Sequence, residues 1–239
     1  MWAAGFGGQD GDHGQSVAVD GEGNVYITGH FRARVDFGDG IRATGSLDDI
    51  FAASFDAGGG LRWAKTFGDD SCDYGSGIAV DSAANVYVTG SFRETPDFRG
   101  EALTSQGNND VFVARLQSDG TPDWATSLGG PSSDKGGPVA IDGNELFVAG
   151  EFLGTASSGP VVLTSEGPSD IFLTRFSPDG TPGQTPARGG PASDQAHGLA
   201  VSDGGIHLTG SFGDTVDLGE TDPLSASHDL DILSLQLAR

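Results

Sequence analysis

An all-β fold of four repeated units, a β-propeller, is what this sequence predicts, and three observations carry the prediction. One phrase is written four times: "SVAVDGEGNVYITGHF" at 16–31, "GIAVDSAANVYVTGSF" at 77–92, "PVAIDGNELFVAGEF" at 138–152 and "GLAVSDGGIHLTGSF" at 198–212. Trp2, Trp63 and Trp124 stand 61 residues apart, and Gln184 takes the position 60 residues further on. No run of ten or more residues has the 3.6 spacing of a helix, whereas short β-branched and aromatic runs bounded by Gly, Asp and Asn are frequent. A fixed period of this length indicates stacked supersecondary units.

Each unit reads as four strands. In the second they are a ("GIAVD"), b ("NVYVTGSF"), c ("DVFVARL") and d ("PDWATSL"). The a-to-b turns "DGEGN" and "DSAAN" supply residues that tolerate the backbone of tight hairpins. Strand c repeats as "DIFAASF", "DVFVARL", "DIFLTRF" and "DILSLQL", each opened by an Asp. Four antiparallel strands repeated around an axis form a propeller. The units span approximately 2–62, 63–123, 124–183 and 184–239, within a single domain covering 1–239. The last copy stops at strand c, and the chain opens on "WAAGFGG", a strand d without a unit of its own. The N-terminal strand is therefore expected to complete the C-terminal blade and close a four-bladed ring, leaving no long free edge.

Composition narrows the partners. Twelve Lys and Arg stand against 34 Asp and Glu, a formal charge of −22. Such a surface repels phosphate backbones and anionic lipid, so neither nucleic acid nor membrane insertion is expected. Cations, basic protein surfaces and carbohydrate remain. The one cysteine, Cys72, excludes an internal disulfide and a cysteine-built metal site. Met1 leads into "WAAGFGG" with neither basic residues nor an apolar segment, so no signal peptide is expected here and the start reads as a trimmed or processed one.

In a propeller of this strand order the d-to-a and b-to-c connections share one face. Residues 7–14, 68–76, 129–137 and 189–197 with 32–49, 93–110, 153–170 and 213–231 hold 23 of the 34 acids but only 6 of the 12 basic residues. Solubility does not require one face to carry that charge. The b-to-c connections are long for hairpins, and "VDFGDGIRATG" and "PDFRGEALTSQG" suit a small extra hairpin.

Two sets of repeated Asp fall on this face. Asp12, Asp73, Asp134 and Asp194 precede the innermost strand, and Asp49, Asp110, Asp170 and Asp231 open strand c. A repeated Asp before a strand most often accepts backbone N–H bonds in a turn. The functional alternative is that Asp12, Asp73, Asp134 and Asp194 converge at the channel mouth and hold Ca²⁺ through oxygen ligands. Asp20, Asp81 and Asp142 belong to the opposite turns and are expected to be structural. His13 and His197, in d-to-a loops that adjoin once a ring closes, could bind a transition metal or act as acid and base. The repeated Trp and the repeated Phe31, Phe92, Phe152 and Phe212 suit packing. No G-x-S-x-G, H-E-x-x-H or P-loop is present.

The pattern W-A-x-x-x-G-G … I-A-V-D-x-x-x-N-V-Y-V-T-G-S-F … D-x-F-V-A-R-L resembles the SBBP β-propeller repeat of bacterial extracellular and surface proteins. Its first half is similar to the NHL repeat. The resemblance implies a propeller outside a bacterial cell and no established catalytic set; the seven blades the family name implies do not carry over to four copies. The functional expectation is a non-catalytic, extracellular or cell-surface binding or adhesion module. The alternatives are a propeller lyase or hydrolase using His13, His197 and nearby acids, and half of a larger ring assembled from two chains.

Overall fold

The computed structural model describes residues 1–98, 100, 102–183, 187–202, 205–217, 223–227 and 230–237. Four large antiparallel sheets follow one another along the chain. The first joins β1 (Asp12–Val19), β2 (Val25–Asp36), β3 (Ile41–Phe55) and β4 (Leu61–Phe67) in sequence order. The second joins β5 (Tyr74–Val80), β6 (Val86–Phe92), β7 (Asp110–Leu116) and β8 (Pro122–Leu128) likewise. In the third, β9 (Lys135–Asp142) pairs with β10 (Glu145–Phe152); a two-stranded hairpin of β11 (Thr155–Ser158) and β12 (Val161–Thr164) intervenes before β13 (Asp170–Phe176) closes the sheet on β10. The fourth pairs β14 (Gln195–Ser202) with β15 (Gly205–Phe212), inserts β16 (Thr215–Val216) against β17 (Leu224–Ser225), and ends on β18 (Asp231–Leu237). Among the described residues no helix is long and apolar enough to cross a membrane.

The expected extra hairpin is present. In the first sheet β2 and β3 run on past the sheet to form it, Arg34 facing Ala43 and Asp36 facing Ile41. In the second it is marked among the described residues by a bridge between Asp97 and Ala102. Each hairpin leaves strand b through one left-handed residue at the same repeat position: Ala33 (φ 60°), Glu94 (φ 60°), Gly154 (φ 70°) and Asp214 (φ 54°). An L side chain there is disfavoured, yet only the third copy uses glycine. The corner is set by tertiary contacts, as the site below makes plain.

Most of the core lies between units; a further cluster of Phe31, Phe37, Phe51 and Phe55 sits in the first unit, with Phe6 of the N-terminal segment against it. One cluster packs Tyr26, Ile50, Trp63 and Phe67 of the first sheet against Ile78, Val88, Phe92 and Phe112 of the second. A second joins the second and third sheets, and a third joins Ile171 and Leu173 to Leu208, Phe212 and Leu233 of the fourth. The tryptophans lock these junctions. Trp63 Nε1 donates to the carbonyl of Ser118 at 2.9 Å, and Trp124 Nε1 to that of Pro178 at 3.0 Å. Each indole thus caps the c-to-d turn of the next unit. Trp2 repeats the arrangement on the first unit, its ring over Phe55 and against Gly59, and Phe6 stacks on Phe55 at 4.8 Å.

The N-terminal segment accordingly takes the place of a strand d standing before the first sheet. Its expected pairing with the last strand is absent among the described residues: β18 is bonded to β15 alone. Ile232 is 85% exposed, whereas Ile50, Val111 and Ile171 at the same repeat position are all 0% exposed. The inner strands pack in series, β1 on β5, β5 on β9 and β9 on β14, and no packing of comparable extent joins β14 to β1. Among the described residues strand d of the third unit is marked by bridges from Phe176 to Pro182 and from Ile171 to Arg188; the Trp-to-Gln exchange at Gln184 lies outside the described residues.

Candidate functional site

The two acid-bearing sets of connections do share a face. Bridges Gly7–Asp36, Gly68–Asp97, Gly129–Ser157 and Gly189–Asp217 tie each d-to-a loop to the hairpin of the unit it enters. This accounts for the "GG" signature. A Cβ on the second glycine (Gly8, Gly130 or Gly190) would overlap the carbonyl oxygen of Arg34, Thr155 or Thr215, and none could be accommodated without moving backbone.

At the centre of each loop is the Asp of the first set, and it acts as a three-way staple. One carboxylate oxygen accepts the N–H four residues back: Gly8 for Asp12 (2.7 Å), Asp69 for Asp73 (3.2 Å), Gly130 for Asp134 and Gly190 for Asp194 (both 2.9 Å). The other oxygen accepts the N–H just before the left-handed corner. Arg93 donates to Asp73 at 3.0 Å, Leu153 to Asp134 at 3.0 Å and Gly213 to Asp194 at 3.3 Å. The backbone N–H of the Asp reaches the preceding unit, donating from Asp73 to Asp48, from Asp134 to Asn109 and from Asp194 to Ser169 at 2.7–2.9 Å. Asp73, Asp134 and Asp194 are fully buried. These bonds hold the strained corner and the unit junction together. Asp12 lacks the second of them, and its Oδ1 is buried without a partner.

The strand-c acids cap their own loops. Gln106 N–H donates to Asp110, Glu166 N–H to Asp170 and Ser227 N–H to Asp231. On the opposite face Asp20 and Asp81 accept two backbone N–H groups each and a tyrosine hydroxyl, from Tyr26 and Tyr87 respectively, as expected of structural turn residues.

Burial makes weak acids of Asp73, Asp134 and Asp194. It pushes Asp73 up to about 7, with the neighbouring Asp69 adding to it against the hydrogen bond from Arg93. Burial, then the charges of Asp73, Asp69, Asp70 and Asp48, push Asp49 up to about 7. Asp134 and Asp194 rise to about 6 through burial, opposed by their backbone donors. Acid is thus most concentrated where the first sheet meets the second. One basic group answers it directly: Arg32 forks onto Asp48, with Nε–Oδ1 3.0 Å and Nη2–Oδ2 2.6 Å.

Asp12, Asp73, Asp134 and Asp194 therefore occur one per unit, each engaged with backbone. Among the described residues no three His, Cys, Asp or Glu side chains gather closely enough to hold a metal ion. Among the described residues no hydrogen bond or ring contact joins His13 to His197. His13 stands beside a cavity of ≈ 110 Å³ with Phe6, Phe31 and Phe51, while His197 borders a larger one, its Nε2 3.2 Å from Ser211 Oγ. The partner of His13 is His30, directly across β1 and β2, with ring centroids 4.9 Å apart; His30 in turn meets the edge of Tyr74 at 4.9 Å. Sequence reasoning passed over His30, although "TGHF" departs from "TGSF" in two sister copies at that residue.

Comparison with known proteins agrees with this architecture. The SBBP β-propeller repeat family matches residues 2–30 and 63–91. The chain carries SBBP β-propeller repeats. Each matched SBBP segment runs from the Trp through the staple Asp into strand b and stops before the left-handed corner. The chain is also similar, at 27% identity over 243 aligned residues, to the regulatory protein FlaEY of Caulobacter vibrioides, covering 92% of this chain and 25% of that protein. An uncharacterized WD repeat-containing protein, L264, of Acanthamoeba polyphaga mimivirus is 27% identical over 113 residues, 40% of this chain and 8% of that one. The chain thus spans about a quarter or less of the curated relatives it matches.

Proposed function

We propose that this SBBP-repeat chain is a non-catalytic binding module that works outside a bacterial cell or on its surface and engages basic partners through its acidic loop face. The observation that carries the reading is the division of labour on that face. The repeated Asp are spent on backbone, while 23 of the 34 acids of the chain lie there and the remainder form a field that attracts cations. Ca²⁺ at Asp73, Asp134 and Asp194 would have to share oxygens that already accept N–H groups, which leaves only Oδ1 of Asp12 unengaged, so a basic protein surface suits the face better than a tightly held ion. FlaEY, named as a regulatory protein, is compatible with a repeat domain that binds rather than catalyses. In this reading a four-bladed ring closes through the N-terminal strand, with Ala4 opposite Ser234 as Lys65 lies opposite Ala52.

Two measurements test it. Binding of a deca-lysine peptide by calorimetry is expected at low ionic strength and to fade by 0.5 M salt; absence of binding at low salt, or binding indifferent to salt, refutes the rim. A parallel Ca²⁺ titration reads the ion separately. For closure, Ala4→Cys with Ser234→Cys, in a Cys72→Ser background, is expected to form an intramolecular disulfide. A cross-link between two chains would instead support a ring of two copies, and no cross-link would leave the arc open.

A further inference from the structure

Residues of all four inner strands border one open cavity whose lining chemistry the charge of the loop face does not explain. It measures ≈ 560 Å³ and is bordered by Gln15 on β1, Ser76 on β5, Lys135 on β9 with Glu151 on β10, and Gln195 and His197 on β14. Every large sheet contributes. That size falls within the range of small-molecule sites.

Its rim is where the repeat stops repeating. The residue after each staple Asp faces a residue of strand b, and the four cross-strand pairs are His13–His30, Tyr74–Ser91, Lys135–Glu151 and Gln195–Ser211. The backbone position is the same each time and the chemistry differs each time. One residue earlier, the Asp is constant because the junction needs it. The variable pairs are free of that duty; Lys135–Glu151 borders the cavity with both residues and Gln195–Ser211 with Gln195.

We infer that this cavity beside the inner strands binds a small neutral saccharide, one or two rings in size. The lining chemistry selects the class. Lys135 and Glu151 are the only charged side chains bordering it, and they neutralise each other in an ion pair of 2.7 Å. A charged ligand would therefore have to break that pair. An anion would in addition approach against the field of a chain of charge −22. No Phe, Tyr or Trp borders the cavity, which removes the stacking surface a nucleobase or aromatic ligand would want. What remains is donor and acceptor capacity. Among the described residues no side-chain hydrogen bond engages Gln15, Ser76 or Gln195, and an amide or hydroxyl offers both a donor and an acceptor. Adjacent sugar hydroxyls present the same alternation. The backbone of Gly136 and Gly137 borders the cavity without side chains to obstruct approach.

The inference rests on the binding-module reading and deepens it: the cavity adjoins the acidic loop face, sharing Ser76, Lys135 and Gln195 with its d-to-a connections, but takes a neutral ligand where the face takes a basic one, so sugar binding and deca-lysine binding are read separately. The test is saturation-transfer NMR and calorimetry on the intact chain with D-glucose, D-galactose, N-acetyl-D-glucosamine and cellobiose as probes. At least one is expected to bind with millimolar affinity or better. Gln195→Ala and Ser76→Ala, on different sheets, should each weaken it about fivefold or more, the loss of one or two hydrogen bonds, with Tm unchanged. Gln15→Ala, at an exposed position, serves as the variant safest for folding. No binding by any probe, or equal affinity in all three variants, overturns the inference. So does tighter binding of D-glucuronate or D-glucosamine than of the neutral sugars. Deca-lysine binding in the same samples reports on the rim independently.

Discussion

Ile171 and Ile232 occupy one position of the repeat, are the same residue, and differ completely in their surroundings. Ile171 has no accessible surface and is bridged to Arg188, whereas Ile232 is 85% exposed. The same contrast holds for whole strands. Every residue of β6 is buried, while β18 alternates between buried and open positions. The difference is supplied by the neighbours. A unit in the middle of the series is covered on one side by the preceding sheet and on the other by the next, and a unit at the end has one of those faces bare. In a stacked repeat, stability belongs to the interface as much as to the unit.

Substitution at the two isoleucines is the strongest way to break this comparison. Ile171→Ala should cost about 4 kcal/mol in urea unfolding, as large-to-small changes in a packed core do; Ile232→Ala should cost less than about 0.5 kcal/mol in the open arrangement of the structure and several times more in the closed ring proposed above. Equal costs at both sites would mean that β18 is covered in solution, and would favour the closed ring. The staples come next. Asp134→Ala strips the acceptor from Gly130 and Leu153 and should cost about 2–3 kcal/mol. Asp12→Ala, which frees only the exposed Gly8 N–H, should cost about 1 kcal/mol or less. A smaller effect is expected at the corner. Glu94 holds φ 60° without being glycine, so Glu94→Gly should raise stability by about 1 kcal/mol, while Gly154→Ala should lower it by a similar amount.

The pH dependence sharpens the comparison at the first junction. Asp49 has a folded pKa of about 7 against an ordinary value of 3.8. Between those values the folded state binds the proton more tightly than the unfolded chain, so stability falls as pH rises from about 4 to about 7 and gains nothing further above that. Asp73 adds a change of the same sign. Thermal melts of the wild type should therefore show a higher Tm at pH 5 than at pH 8. Asp49→Asn, which removes the charge and keeps the shape, should narrow that gap by raising Tm at pH 8. A wild type more stable at pH 8 would mean that these carboxylates are better solvated than their burial indicates.

Much of this was legible before any coordinates. The Trp period marked the junctions, because only one indole per unit can cap the next turn. The run of Gly and Asp before strand a marked the loop, and Asp20 and Asp81 behaved as turn residues should. The staple role of Asp73, Asp134 and Asp194 was foreseen only in half. Their bond to a neighbouring loop residue is local and readable, whereas the bonds to Arg93, Leu153 and Gly213 join residues 19–20 positions away and depend on how strand b returns. The left-handed corner was hidden for the same reason, since Ala33 and Glu94 carry no turn signal of their own. His30 could have been found by setting the four copies side by side.

By itself the sequence determined the repeat, the strand order within a unit, and the face on which the charge collects, because periodicity and polarity are properties of order along the chain. Only the tertiary structure decided which acids are buried in staples, which histidine meets His13, and that Ile232 lies open while Ile171 does not. Those outcomes depend on what stands beside each residue in space, and identical local patterns placed at the middle and at the end of a stack meet different neighbours.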